Sequence, residues 1–263
     1  MHQDSVQIGQ HTELRHTRNG LMLFNRLDWP IGELLKKYGE YSGGEMALFH
    51  SILKPDWTVV EAGAHIGTLT VPLAKMAKRV FAFEPQRANF NYLCANIALN
   101  ECDNVKAQRL AIGSADGKIM VPILDPNSEN NTGGVILPEA KDGETVPLRS
   151  LDSLDIPFDF LKADVENMEI DVLLGGARII KECQPVMYLE VNLSPDPILT
   201  LLESIGYEAW WHTPMLVEQP NFYECEENMY PGIVSLNMLC APAGRMDPAL
   251  PRAVIGKQWT ECV

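Results

Sequence analysis

From about residue 50 onward, the chain alternates between two patterns of apolar and polar residues. Short runs rich in β-branched and aromatic residues predict strands in WTVVEAGA, RVFAFEP and NVKAQRLAIG. Between them, apolar residues recur at spacings of three and four, the period of an amphipathic helix, in GTLTVPLAKMA and QRANFNYLCANIALN. Strands that alternate with helices predict βαβ units and a mostly parallel α/β sheet with helices on both faces.

Each predicted helix carries a feature that the structure can test. Pro72 lies inside the first one, where it cannot donate to the carbonyl four residues back, so we expect a late start or a kink. In the second helix, the spacing predicts a buried stripe of Phe90, Leu93 and Ile97.

The pattern divides the chain into a lead-in, a main domain and a tail. Residues 1–49 predict a lead-in or lid, with a strand in GLMLFNRLD and a helix in IGELLKKYGEY. Residues 50–242 form the main domain, interrupted at 114–150 by a turn-rich excursion of the kind that often carries function. The domain resumes with the strand FDFLKADV, a helix over 169–181, the strand PVMYLEVN, the helix PDPILTLLESIG, and the strands YEAWWH and IVSLNMLCAP. Residues 243–263 predict a loose tail.

Charge and composition narrow the classes of partner. A formal net charge of -14 disfavours a nucleic-acid partner, because phosphate binding normally uses many lysines and arginines. The six cysteines show neither C-x-x-C pairs nor metal-ligand spacing, which predicts free thiols in a reducing compartment. No apolar run approaches the length of a membrane span, and the N-terminus is polar, so we expect a soluble, cytoplasmic protein without a membrane partner.

The most informative local sequence is EAGAHIG, where a predicted strand passes into a helix. Gly63 and Gly67 allow the backbone to turn sharply and to approach a ligand at the carboxyl edge of the sheet. A dinucleotide fingerprint would need glycines where His65 and Thr68 stand, so a nicotinamide dehydrogenase is the weaker interpretation. The next strand ends in Glu84, whose carboxylate can accept hydrogen bonds from ribose hydroxyls. Together these features favour S-adenosylmethionine, which has an adenosine and an amino-acid tail but no phosphate.

Three further strand ends carry groups that can move protons. In LKADVENME, Asp164 and Glu166 lie two residues apart, and adjacent carboxylates require a cationic or protonated partner such as Lys162, the cofactor or a metal ion. Glu190 and His212 end the next two predicted strands at the same sheet edge, so either could act as a general base. The alternatives are structural: Asp164 and Glu166 could lie in a solvated acidic loop, and His212 could be a packing residue.

As a set, these sequences resemble the FkbM family of methyltransferases over roughly residues 41–242. The matching stretches are GEYSGGE, VVEAGAHIGTLTVPLA, FAFEPQRANFNYLCANIALN, NVKAQRLAIGS, LDSL, FLKADVENME, LEVN and EENMYPGIVSLNMLC. The resemblance implies a Rossmann-like class I methyltransferase fold, with a seven-stranded, mostly parallel sheet whose last strand is antiparallel. It also implies methyl transfer to oxygen, often on sugars or other natural-product hydroxyls.

Carried over by position, the resemblance assigns roles to individual residues. The implied cofactor contacts are Tyr41 in the lid, Glu61, Gly63, His65 and Gly67 in the turn, Glu84 and Pro85 after the second strand, Ala111 and Ile112 beside the adenine, and Asp164 beneath the methionine end. One departure is Asn167, where relatives commonly have glycine; if the position needs a positive φ, asparagine is the next best residue.

The resulting hypothesis is an S-adenosylmethionine-dependent O-methyltransferase for a small-molecule or carbohydrate hydroxyl, in which Asp164, Glu190 or His212 removes the proton. We expect no metal, although a hard cation among Asp164, Glu166 and Glu190 is an alternative because such ions prefer carboxylate oxygens. A different class of function is a catalytically silent cofactor-binding sensor or partner subunit.

Overall fold

The computed structural model describes residues 5–261, and these residues form thirteen strands and eight α-helices. In chain order the strands are β1 (Ser5–Gln7), β2 (Thr12–Thr17), β3 (Gly20–Asn25), β4 (Thr58–Ala62), β5 (Arg79–Phe83), β6 (Val105–Gln108), β7 (Ala111–Ile112), β8 (Gly117–Val121), β9 (Glu144–Arg149), β10 (Phe160–Ala163), β11 (Val186–Glu190), β12 (Tyr207–His212) and β13 (Asn237–Pro242). The helices are α1 (Ile31–Tyr38), α2 (Gly43–Ile52), α3 (Thr70–Met76), α4 (Arg87–Leu99), α5 (Leu151–Leu154), α6 (Glu169–Gly175), α7 (Ala177–Cys183) and α8 (Asp196–Ser204).

The central sheet has seven strands in the order β12-β13-β11-β10-β4-β5-β6. Strands β11, β10, β4, β5 and β6 run parallel to their neighbours within this set. Strand β13 is inserted between β11 and β12 and is antiparallel to both. The expected class I methyltransferase topology, with an antiparallel last strand, is therefore confirmed.

Helices cover both faces of this sheet, and side-chain alternation along the strands divides the core accordingly. On β4, Val59 packs into the apolar cluster that includes residues of α1 to α4, whereas Val60 packs into the cluster that includes residues of α6 to α8. Both valines are fully buried, as the period of two predicts for a strand between two helical layers. Because the sheet is parallel, β4, β5, β10 and β11 all end at one edge.

The lead-in forms an antiparallel sheet of β1, β2 and β3 that docks on α4 through asparagines. The backbone N–H of Leu23 donates to Asn96 Oδ1 (2.6 Å), and Asn96 Nδ2 donates to the carbonyls of Leu23 (2.9 Å) and Ile66 (2.8 Å). The predicted apolar stripe of α4 is correct only at Leu93, which is fully buried. Phe90 and Ile97 are only partly buried, because the packed face is completed by amides that satisfy backbone groups.

The structure also tests the predictions for two other helices. Helix α3 begins at Thr70, so Pro72 lies in the first turn, which confirms the late start. The helix predicted over 169–181 is instead two helices that meet at Gly176. Just before the break, a Cβ at Gly175 would stand 2.1 Å from the carbonyl oxygen of Gly113, so the chain there packs backbone against backbone.

The excursion and the tail both have regular pairings. Strand β9 pairs antiparallel with β8 and parallel with β7, so the run NVKAQRLAIG is divided between two sheets. In the segment predicted as a loose tail, Arg252 forms a bridge with Trp210 of the edge strand β12. The N–H of Trp211 donates to the carbonyl of Pro251 (2.8 Å), and the N–H of Ala253 donates to that of Ala209 (2.9 Å). Among the described residues, no helix is both long and apolar enough to cross a bilayer.

Candidate functional site

A cavity of about 370 Å³ opens at the carboxyl edge of the central sheet, between the lead-in and the excursion. Ten predicted site residues line it: Tyr41, Glu61, Gly63, His65, Glu84, Pro85, Ala111, Ile112, Asp164 and Glu190. Gly67 is not among the lining residues. It has a φ of +87°, and a Cβ there would stand 2.9 Å from Leu93 Cδ1, so this glycine shapes the turn and the packing of α4.

The turn after β4 is held tightly against the neighbouring strands. The N–H groups of Gly63 and Ala64 both donate to the carbonyl of Phe83, at 2.9 and 3.0 Å. Gly63 has a φ of +82°, and a Cβ there would stand 1.7 Å from the carbonyl oxygen of Asp164. Only glycine fits a left-handed backbone at such a close approach, and this explains the residue type at position 63.

Glu84 lies at the end of β5 with its carboxylate partly engaged. One oxygen accepts the N–H of His65 (2.8 Å) and the other accepts the N–H of Gln86 (2.8 Å). Burial raises the pKa of Glu84 to about 7, although these two hydrogen bonds act in the opposite direction. A carboxylate has about four acceptor positions, so each oxygen retains capacity for a hydroxyl donor from a ligand in the cavity.

The remaining walls of this part of the cavity suit a nucleoside. Apolar side chains form one side of it, and they are Leu110, Ala111, Ile112, Leu137, Val165 and Met168. His65 Nδ1 is buried and has no hydrogen-bond partner among the described residues, which leaves a polar atom that a ligand can satisfy. An acidic strand end, an apolar slot and an unpaired polar atom together fit an adenosyl group.

One buried cation organises the acidic end of the cavity. Lys162 Nζ donates to Asp164 Oδ2 (3.0 Å), and Lys162 lies opposite Glu61 in the register of β10 and β4. Although burial acts to lower it, the pKa of Lys162 is raised by Asp164, Glu61 and Glu45, so its ammonium stays charged. Burial raises the pKa of Glu61 to about 7, with Lys162 opposing. Within the described residues, Lys162 is the sole lysine or arginine that lines the cavity.

Asp164, Glu166 and Glu190 form a group in which one carboxylate oxygen from each residue lies within 4.8 Å of those of the other two. The amide of Asn192 donates to both Glu190 (2.7 Å) and Glu166 (3.2 Å). Burial and the charge of Asp164 raise the pKa of Glu190 well above its usual range. Burial also acts to raise that of Asp164, but Lys162 and hydrogen bonding hold it low. This pair can therefore share one proton, with Asp164 as the ionised partner.

His212 is not part of this group. The register pairs both Glu190 and His212 with Asn237, so strand β13 separates them by two inter-strand spacings, about 10 Å. His212 Nδ1 makes a 2.7 Å hydrogen bond with the hydroxyl of Tyr188, and burial lowers the pKa of His212 to about 4. The histidine does not line the cavity and matches the packing alternative.

Comparison with known proteins identifies the family. Residues 61–209 match the family model described as the methyltransferase FkbM domain, which covers more than half of the chain. The chain belongs to the FkbM methyltransferase family. A tRNA(Phe) (4-demethylwyosine(37)-C(7)) aminocarboxypropyltransferase from Methanocaldococcus jannaschii is 33% identical over 102 residues, a match that spans 38% of this chain and 39% of that protein.

Two solved structures have a fold similar to that of this chain at low sequence identity. An FkbM methyltransferase from Methylobacillus flagellatus KT has a TM-score of 0.47 and 17% identity, over 74% of this chain and 50% of that one. TYW2 from M. jannaschii in complex with AdoMet has a TM-score of 0.46 and 18% identity, over 90% and 87%. Membership in the FkbM family accords with S-adenosylmethionine as the cofactor.

The sequence predicted a functional excursion but did not single out which of its residues line this FkbM site. Asn131, Thr132, Gly133, Gly134 and Val135 all line the cavity. The two adjacent glycines are the feature that could have located them, since glycine pairs in loops often mark a close backbone approach. Asn167 has a φ of +73°, so the expectation that an asparagine replaces glycine at a positive φ there is confirmed.

Proposed function

We propose that this chain is an S-adenosylmethionine-dependent methyltransferase that transfers a methyl group to a hydroxyl oxygen of a small-molecule or carbohydrate acceptor. The observation that carries the proposal is the Asp164–Glu190 pair, a proton-accepting group in the same cavity as Glu84 and the turn at Gly63. An oxygen nucleophile must lose its proton, whereas a neutral amine need not lose one before attack. A proton acceptor in the cavity therefore favours an oxygen nucleophile over an amine.

Each part of the cavity has a role in this proposal. Glu84 binds the ribose hydroxyls, the wall around Ala111 and Ile112 contacts the adenine, and the carboxylates beside Lys162 meet the positive methionine end. Tyr41 and Pro30 of the lead-in line the cavity as well. The bound cofactor supplies an electrophilic methyl carbon attached to a sulfonium.

Catalysis then depends on alignment and on proton removal. Residues that line the cavity must hold the acceptor oxygen in line with the methyl carbon and the leaving sulfur. With the methyl donor bound, Asp164, the ionised partner of the Asp164–Glu190 pair, would take up the proton that the acceptor hydroxyl loses on methylation. The products are the methyl ether and neutral S-adenosylhomocysteine.

The charge of the cavity supports a neutral acceptor over a phosphorylated one. Lys162 is already paired with Asp164, and the surrounding carboxylates would repel a phosphate. The M. jannaschii relative is named for a tRNA, but the match spans 39% of that protein, and this chain has a net charge of -14. These observations favour an uncharged, hydroxyl-bearing small molecule.

The test combines cofactor binding with methyl transfer. Isothermal titration with S-adenosylmethionine measures binding, and incubation with the methyl-tritiated cofactor and a panel of sugars and hydroxylated natural products measures transfer. Asp164→Asn serves as the inactivated control. We expect binding together with transfer that the control lacks. Binding without transfer to any acceptor or cell extract would indicate the silent sensor instead, and failure to bind would refute both.

A further inference from the structure

Three parts of the chain that are distant in sequence meet at the side chain of Thr132. Thr132 belongs to the excursion, Asp28 to the lead-in before α1, and His65 to the turn after β4. The N–H of Thr132 donates to Asp28 Oδ1 (2.9 Å), and its hydroxyl donates to the same oxygen (2.7 Å). His65 Nε2 lies 2.8 Å from that hydroxyl.

The direction of these hydrogen bonds follows from their partners. A carboxylate only accepts, so the single hydroxyl proton of Thr132 goes to Asp28, and the hydroxyl oxygen must accept from His65 Nε2–H. The other carboxylate oxygen, Asp28 Oδ2, lies 3.6 Å from the same ring nitrogen. Burial lowers the pKa of His65, so the imidazole is neutral at pH 7, and its unpaired Nδ1 is the unprotonated nitrogen.

The backbone carbonyl of Thr132 is hydrogen-bonded as well, and so is that of Asn130 in the same excursion. Its carbonyl accepts from Asn89 Nδ2 of α4 (3.1 Å), so every polar atom of Thr132 is engaged. Asn130 pairs with the lead-in, where the N–H of Trp29 donates to its carbonyl (2.8 Å). Thr132 and the next residues, Gly133 to Val135, line the cavity directly.

We propose that His65, Thr132 and Asp28 form a clamp that holds residues 131–135 over the cofactor cavity, so that affinity for the methyl donor depends on the hydroxyl of Thr132. The three are positioning residues: they act by fixing a wall of the cavity and the turn that follows β4. The proposal rests on the proposed function, because it takes S-adenosylmethionine to be the ligand of this cavity.

Two substitutions at one position separate the hydroxyl from the shape of the side chain. Thr132→Val keeps the branched shape and removes the donor and acceptor, whereas Thr132→Ser keeps the hydroxyl. Thr145→Val, at an exposed position of β9 in the same excursion, is the matched control. Removal of the hydroxyl takes from Asp28 Oδ1 one of its two donors, the N–H of Thr132 being the other, and leaves His65 Nε2–H without its acceptor in a buried place. We therefore expect the Kd for S-adenosylhomocysteine and the KM for S-adenosylmethionine to rise about tenfold in Thr132→Val.

The same variants should leave other properties unchanged. Thr132→Ser and Thr145→Val should bind like the wild type. The kcat of Thr132→Val at saturating cofactor should stay within about twofold of the wild type, since a loss of binding that is equal in the ground and transition states raises KM and leaves kcat unchanged. Hydrogen exchange of the ligand-free proteins provides a readout independent of activity: the amides of residues 132–135 should exchange faster in Thr132→Val only.

The outcomes distinguish the clamp from the proposed function. If the wild type binds the cofactor and Thr132→Val binds it equally well, the clamp is wrong and the proposed function stands. If Thr132→Ser loses as much affinity as Thr132→Val, the hydroxyl is not the cause and the clamp is again wrong. If the wild type binds neither S-adenosylmethionine nor S-adenosylhomocysteine, the proposed function fails and the clamp fails with it.

Discussion

Replacement of Glu84 by alanine is the most direct test of how the cofactor is held. The two oxygens of this carboxylate each accept one backbone N–H, from His65 and Gln86, and both retain a free acceptor position. A hydrogen bond from a ribose hydroxyl to a charged acceptor contributes about 1.5–3 kcal/mol. Loss of two such bonds at the lower bound removes about 3 kcal/mol of binding free energy, so the Kd for the cofactor should rise about 100-fold or more.

The assay is isothermal titration with S-adenosylhomocysteine, which binds without reacting. Glu203→Ala, which removes an exposed carboxylate from the end of α8, is the control and should bind like the wild type. Glu84→Ala also removes the acceptors for two backbone N–H groups, so its Tm without ligand should fall, and titration should be carried out well below that temperature. A Kd for Glu84→Ala within about twofold of the wild type would refute the ribose role of Glu84.

Three further predictions concern catalysis, pH and metal. Asp164→Asn should lower kcat about 100-fold or more, Glu190→Gln, which resembles the protonated form of Glu190, should lower it much less, and His212→Ala should stay near the wild-type rate, in the methyl-transfer assay; unchanged turnover in Asp164→Asn would disprove the base assignment. The folded-state pKa of Glu61 and that of Glu84 are raised to about 7, above their unfolded values, so the ligand-free protein should lose stability as pH rises through 7. Because the ionised forms bind a cationic cofactor better, affinity should increase from pH 6 to pH 8 with proton release, measurable by titration in two buffers; a pH-independent Kd would contradict this. Activity should persist in excess EDTA, since Lys162 already donates to Asp164 and Asn192 to Glu190. A loss of activity that Mg²⁺ reverses would instead indicate that these carboxylates bind a cation.

Sequence patterns predicted residues at one end of the cavity because the determinants of those residues are local. Gly63 and Glu84 follow strands that periodicity alone predicts, and a parallel sheet places both at one edge. The same rule failed for His212, which also ends a strand, because the rule does not say how far along the edge a strand lies. The insertion of β13 between β11 and β12 decides that distance, and it depends on long-range pairing that no local pattern encodes.

The excursion and the lead-in were harder to predict for a related reason. Their contacts are made by polar residues such as Asn96, Asp28 and Thr132, which a hydrophobic pattern treats as solvent-facing. Each is partly or fully buried and hydrogen-bonded to a partner far away in the sequence. Hydrophobic periodicity finds the core of the sheet, but buried hydrogen-bonding pairs become visible only once the chain has folded.

The segment around Arg252 covers the outer edge of strand β12. Strand β12 ends the central sheet, and a bare outer strand offers unpaired N–H and C=O groups to other molecules. Residues 251–253 occupy that position, with the Arg252 guanidinium 5.8 Å from the Trp210 ring centroid and 2.7 Å from Glu208. A chain truncated before Pro251 would expose the unpaired edge of β12 to other copies of itself. Truncated versions should therefore self-associate in light scattering, whereas the chain that retains residues 251–253 should not.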